Sequence, residues 1–282
     1  MTVPIEFSRC WGAASRDPEH RCDNPALKDV VVPTPADALL VPVGFCSSDL
    51  GNAAATSICT FGADLAHARR SIALIGDSHS TALRPAIGYV AAVEHWYGLN
   101  YEHNGCGFSE AIMRVPDAYA NTCQAFSQDA LAWLWQHPEI STVVITGADQ
   151  RGWRTSAAVG FRRLWRAIPP WVHRIFIVRD VPHEVLGESD CVQRALARHQ
   201  PAGLLCAEPR SRVLTRDSEA AAVVHSGSPR VHLIDLTPFF CGARRCLPVV
   251  GGALTLTDLV HISPEYSLSL GPYLERSIDA VR

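Results

Sequence analysis

From residue 71 onward the chain repeats one pattern: a short, almost continuous apolar run followed by a longer helix-favouring stretch. The runs are SIALIG at 71–76, LNYEH at 99–103, STVVITG at 141–147, RIFIVRD at 174–180 and RVHLIDL at 230–236. Several are rich in β-branched residues with little polar alternation, as parallel strands covered on both faces tend to be. The intervening stretches predict helices over about 79–95, 124–137, 156–168, 190–199 and 211–225, and a last helix over about 264–281 closes the chain. Strand and helix in alternation predict a three-layer α/β/α sandwich around a five-stranded parallel sheet. Ligands of such sheets bind at the carboxyl ends of the strands. That rule places the turn at 76–79, the loop at 104–108 and the loop at 147–153 on one rim.

Residues 1–70 read differently. Pro33, Pro35 and Pro42, with Gly44, Gly51 and Gly62, interrupt regular structure, so the segment is expected to be irregular. Four of the chain's ten cysteines lie in it, which suggests a disulfide-stapled N-terminal extension on a main domain spanning 71–282. An even number of cysteines at this density points to disulfides and an oxidising compartment. The simplest pairing joins nearest neighbours: Cys10 with Cys22, Cys46 with Cys59, Cys106 with Cys123, Cys191 with Cys206, and Cys241 with Cys246. Sequence alone does not choose among the many connectivities. No Cys-x-x-Cys occurs, which argues against a zinc site.

The formal charge of −3 and the lack of a basic tract give no nucleic-acid footprint. No run is long and apolar enough to span a bilayer. The opening residues MTVPIEFSRCWGAASRDPEH lack a basic start followed by an apolar core, so no export signal is visible. An oxidised chain without one is expected to have lost it, or to be part of a longer membrane-bound protein. Trp133 and Trp135 share a helix with Leu131 and Leu134 and are expected to pack in the core.

The polar turn after the first run reads Gly76-Asp77-Ser78-His79. Asp77 and Ser78 are both good helix caps, so the turn admits three readings: a capped helix start, a nucleophilic serine, or an Asp-x-His metal pair. An anion forming beside Ser78 would meet the N–H groups of the following helix. A nucleophilic serine needs a base, and the base needs an orienting group. Both are available in TLTDLVHIS, where Asp258 stands three residues before His261. A two-metal phosphoesterase using Asp77 and His79 is the weaker reading, because the further His and carboxylate ligands that such sites need are missing.

Gly-Asp-Ser after the first strand, with Asp-x-x-His just before the last helix, resembles the SGNH (GDSL-like) hydrolases, whose fold is flavodoxin-like. The resemblance covers roughly residues 70–282. It is nearest to the extracytoplasmic SGNH domain attached to acyltransferase-3-type membrane O-acyltransferases. The shared features are GDSHS, the paired cysteines, the lead-in CWGAASRDPEHRC, and the stretch CGARRCLPVVGGALTLTDLVHIS. The resemblance implies Ser78 as nucleophile, His261 as base and Asp258 as its orienting acid. It implies an oxyanion hole using Ser78 and Gly105, the glycine in HNGCGF with Gly107 as its alternate. An asparagine is expected after the third strand, but the loop TGADQRGW carries Asp149 there. Gln150 or Arg151 is then the substitute donor, and Trp153 is the aromatic expected to line the cleft. The implied activity is O-acyl transfer or ester hydrolysis through an acyl-enzyme, needing no cofactor or metal. The implied partners are an acyl donor, a cell-envelope glycan acceptor and a membrane acyltransferase domain, in the extracytoplasmic space of a bacterium. A non-catalytic glycan-binding or docking module is the alternative.

Overall fold

The computed structural model describes residues 9–20, 22–40, 56–148 and 152–281. They form two compact units, the first built from 1–44, 181–215 and 235–274, the second from 45–180, 216–234 and 275–282.

The second unit holds a six-stranded sheet: β1 (Thr56–Gly62), β2 (Arg70–Gly76), β3 (Trp96–His103), β4 (Ile140–Thr146), β5 (Arg174–Val178) and β6 (Val231–Ile234). Their order across the sheet is β1-β3-β2-β4-β5-β6. Strands β2 to β6 are parallel and correspond to the five apolar runs. The sixth strand, β1, lies within the segment expected to be irregular and adds antiparallel to β3, with Cys59 opposite Asn100. An edge strand bonds to one neighbour only, so its seven residues need no unbroken apolar run.

Helices cover both faces of this sheet. Helix α1 (Ser78–Glu94) follows β2 and packs on the face carrying Asn100 and Glu102. It ends at His95, whose left-handed φ of 56° lets its N–H turn back to the carbonyls of Ala91 and Ala92. Helices α2 (Asp117–Gln136) and α3 (Ala157–Ala167) lie over the opposite face. There Ile75, Tyr101, Val143, Ile145 and Ile177 of the strands meet Phe126, Leu134, Phe161 and Trp165 of the helices. Fully burying an aliphatic or aromatic side chain stabilises by about 1.5–3 kcal/mol, so this interlayer core sets the unit's stability.

Three sequence expectations need correction. Helix α2 begins at Asp117, seven residues before the expected 124, behind Pro116 and without a side-chain cap. The single helix expected over 211–225 is two short ones, Arg210–Val213 and Ser218–Val223, because Asp217 caps the second by accepting the Ala220 N–H at 2.8 Å. Trp135 is 51% exposed, its indole N–H donating to the Ala167 carbonyl while its ring lies edge-on to Trp171.

The first unit is organised by a hairpin at VVGGAL, where Val249–Val250 pairs with Ala253–Leu254. Gly251 and Gly252 turn it with φ of 52° and 81°, the left-handed pair a two-residue hairpin needs. A Cβ on Gly251 would lie 2.6 Å from the carbonyl oxygens of Cys10 and Gly12. The amino-terminal segment therefore seats on bare backbone, joined by Gly12 N–H to Gly251 O and by Val32 N–H to Gly252 O. Val31, Ala38, Val249 and Leu254 pack there with Val192 and Ala195 of α4 (Glu188–Ala197). The last helix, α5 (Pro264–Asp279), begins in this unit and buries Tyr266, Leu270 and Leu274 there, a stripe of four-residue spacing.

Four of the five expected disulfides are present: Cys10–Cys22, Cys106–Cys123, Cys191–Cys206 and Cys241–Cys246. Cys46 lies outside the described residues, and with it the pairing to Cys59. No helix among the described residues is long and apolar enough to cross a membrane.

Glu188, in the first turn of α4, carries a testable cost. Burial pushes its carboxyl up to about 7; Glu184 and Glu208 add to the rise, against a bond from the Val185 N–H and the charge of Arg212. Between its ordinary 4.5 and about 7 the native state holds a proton that the unfolded state has lost. Stability therefore falls as pH rises through that window. Glu188→Gln mimics the protonated acid and is expected to raise stability by on the order of 2 kcal/mol at pH 8. The gain should vanish at pH 4. Thermal melts of both proteins at the two pH values check this.

Candidate active site

In the second unit, β2 has β3 on one side and β4 on the other. The chain leaves β2 for β3 in one direction and reaches β4 in the other, so the turn after β2 is the topological switch point where open α/β sheets bind ligands. Gly76 closes β2 where a side chain has no room: a Cβ there would stand 1.8 Å from the Thr146 carbonyl oxygen of β4. Asp77 follows as the cap of α1. Its Oδ1 accepts the His79 N–H and its Oδ2 the Ala148 N–H, both at 2.9 Å. It thus pins the β4 loop to the helix start. Both oxygens of this 1% exposed carboxylate are engaged by backbone donors, the work of a helix cap.

Ser78 is the first residue of α1 and is half-buried. His79, next to it, is buried and points its Nδ1 at Asp180 Oδ1, 2.7 Å away. A carboxylate only accepts, so Nδ1 carries the proton. Asp180 follows β5, and its own N–H donates to Asp217 Oδ2 at 2.9 Å. A buried chain of polar groups therefore runs from the residue beside Ser78 to the cap of the 218–223 helix. Behind α1, Ser80 bonds to Asn100, Thr81 bonds to Glu102, and Ser57 of β1 donates to Glu102 at 3.0 Å. None of these partners carries a local sequence signal, because each lies at least 20 residues away from the group it holds.

Gly105 occupies the turn after β3 with a φ of 70°, and the following Cys106 ties that turn to α2 through Cys123. Trp153, after β4, is half-buried: its ring meets Phe161 edge-on at 5.3 Å, and a Cβ on Gly107 would come within 3.3 Å of it. Ser78, Gly105 and Trp153 thus follow three adjacent parallel strands in one unit, as the rim expectation required. Asp149, Gln150 and Arg151 lie outside the described residues.

The acid–base pair belongs to the first unit and has its own geometry. Asp258 and His261 sit in the loop before α5. The carboxylate folds over the loop, Oδ1 accepting the N–H groups of Val260 and His261 at 2.8 Å each. Its Oδ2 lies 2.7 Å from His261 Nδ1. Burial alone would push the Asp258 carboxyl up, but the bond from the His261 ring and the two backbone N–H donors win and hold it at about 2. Asp258 is therefore ionised at neutral pH, Nδ1 must be the protonated ring nitrogen, and Nε2 is left as the basic one. By linkage this depressed pKa stabilises the folded loop above pH 4 and loses that contribution as pH falls toward 2. Ser263 locks the other end of the loop by donating to the Leu254 carbonyl and accepting the Tyr266 N–H at 3.2 Å.

Comparison with known proteins agrees with this architecture. The family described as the SGNH domain fused to AT3 domains matches residues 46–276. Among solved structures, the periplasmic domain of a lipopolysaccharide acetyltransferase from Salmonella ser. Paratyphi A matches with a TM-score of 0.59 at 15% identity. That match covers 78% of this chain and 90% of the Salmonella chain, and it is a likeness of fold. No curated protein matches the chain.

Proposed function

The chain belongs to the family of SGNH domains fused to AT3 domains, and from that membership we propose that it transfers an acyl group to a hydroxyl of a cell-envelope glycan through an acyl-enzyme on Ser78. The observation that carries the reading is the Asp258–His261 pair, an ionised carboxylate fixing the tautomer of a histidine whose basic nitrogen is Nε2.

The steps balance as follows. Ser78 Oγ attacks the carbonyl carbon of an acyl ester while its proton passes to His261 Nε2. The tetrahedral intermediate collapses, the C–O bond to the donor alcohol breaks, and the imidazolium returns the proton to that alkoxide. A sugar hydroxyl then attacks the acyl-enzyme, giving its proton to Nε2, and the ester bond to Ser78 breaks as Oγ takes the proton back. Water in place of the sugar gives esterase activity. The backbone N–H groups of Ser78 and Gly105 serve as oxyanion donors. Asp149 stands where the resemblance expects an asparagine, and one lost donor costs about 10²–10³ in rate, so slow turnover is part of the proposal.

Four disulfides support an extracytoplasmic location. The family's fusion to AT3 domains supports a membrane acyltransferase as the partner that supplies the acyl group. The non-catalytic docking reading keeps the fold and drops the chemistry.

To test the proposal, the protein is incubated with an aryl acetate and a panel of bacterial glycans, and released phenol and acetylated sugar are both quantified. Acetyl should appear on a glycan in wild type and not in Ser78→Ala. Acetylation that survives Ser78→Ala, or is removed by a chelator, would contradict it.

A further inference from the structure

We propose that the first unit carries an anion-binding site, formed by Arg16 and Arg210, for a sugar bearing a phosphate or carboxylate. The site lies wholly within that unit and stands whether or not Ser78 is a nucleophile.

Arg16 and Arg210 line one groove of about 740 Å³, a volume suited to a small ligand or one end of a glycan. Arg16 extends from the 12–16 turn and donates through Nε to the Pro238 carbonyl at 3.2 Å. Arg210 begins a short helix and donates through Nη1 to the Gly242 carbonyl at 3.1 Å. The two side chains converge on Gly242, since a Cβ built there would lie 3.8 Å from Arg16 Nη2. Among the described residues, neither guanidinium has a carboxylate within ion-pair distance. Both half-buried guanidiniums hold carbonyls of the same 238–242 segment, and an anion between them would offset their mutual repulsion. Burial already pulls the Arg16 guanidinium below its ordinary range, with Tyr266 opposing.

The groove's own acids do not supply the missing charge. Asp17 is committed to its own turn, with Oδ1 accepting the Glu19 N–H at 3.0 Å and Oδ2 facing the His20 ring at 3.3 Å. Asp23 is exposed at the rim. Among the described residues, the groove is lined by no aromatic side chain, and its charged donors are the two guanidiniums. Two planar guanidinium forks match the oxygens of a phosphate or carboxylate. The frame is covalently fixed, because Cys22 and Cys241 line it and are bonded to Cys10 and Cys246. A stapled groove loses little freedom on binding.

The test is a titration of the full chain with glucose 1-phosphate, glucuronate and glucose, read by calorimetry and by the Arg Nε–H resonances in ¹⁵N-labelled protein. Glucose 1-phosphate or glucuronate should bind saturably and shift the Arg16 and Arg210 signals, and glucose should not. The tighter of the two anions identifies the source of the charge. Each of Arg16→Gln and Arg210→Gln is expected to weaken binding by about 10-fold or more. Arg16→Lys keeps the charge without the fork and should fall in between, which separates recognition from a folding defect. Equal binding of glucose, unchanged affinity in the double Gln variant, or no saturation by either anion at tens of millimolar overturns the proposal.

Discussion

Ser78→Ala is expected to lower acyl transfer by about 10⁴-fold or more, and His261→Ala by a similar factor. Both remove parts of one proton-transfer unit, so the double variant should be no slower than either single one. Asp258→Asn should cost less, about 10²–10⁴, for a reason visible in the loop. An asparagine can still accept the Val260 and His261 N–H groups, but it no longer supplies the charge that holds the proton on Nδ1. The tautomer then reverses in part, and Nε2 ceases to be the reliable base. Single-turnover rates with an aryl acetate measure these ratios. Losses that multiply in the double variant would mean that Ser78 and His261 act separately.

The second large effect is on stability. Asp180→Ala leaves the buried His79 imidazole facing a cavity where its Nδ1–H had an acceptor at 2.7 Å. Leaving a buried donor without its acceptor costs about 1–3 kcal/mol. In a chain of this size that corresponds to a fall in Tm of about 3–8 °C. Asp180→Asn keeps an acceptor oxygen and should lose less than half as much. His79 is the second residue of α1, so the loosened ring also frees the helix start that presents Ser78. Activity in Asp180→Ala should fall before the protein unfolds, at temperatures where circular dichroism is still native. A Tm within a degree of wild type would show that the pair is replaceable by water.

β2, β4 and β5 were legible because each is a nearly unbroken apolar run; β3 and β6 were less so, β3 carrying the buried polar Asn100 and Glu102 and β6 a half-buried His232 and a 40% exposed Leu233. β1 was not, because TSICTFG is an antiparallel edge strand in a stretch dominated by proline, glycine and cysteine signals. The start of α2 was hidden by Pro116, which gives a helix no side-chain cap to announce it. The break between the 210–213 and 218–223 helices was hidden for the opposite reason, because Asp217 looks like one more polar residue on a helix until its carboxylate takes the Ala220 N–H. Asp77-Ser78 and Asp258-x-x-His261 are two local motifs, and local motifs survive in sequence. The clasp of His79 by Asp180 does not, since 101 residues separate them and either alone reads as an ordinary polar residue at a strand end. The convergence of Arg16 and Arg210 on Gly242 is invisible for the same reason. Long-range polar contacts are made by the fold and leave no spacing to read.

The central claim is that Ser78 becomes acylated. Intact-mass spectrometry after brief exposure to an aryl acetate, quenched in acid and followed by peptide mapping, tests it most directly. The account predicts one added acetyl group on the peptide containing Gly76-Asp77-Ser78-His79, absent from Ser78→Ala and accumulating in His261→Ala far more slowly than in wild type. An adduct elsewhere, or none across several acyl donors while the protein still binds glycan, would contradict it and leave a docking module in its place.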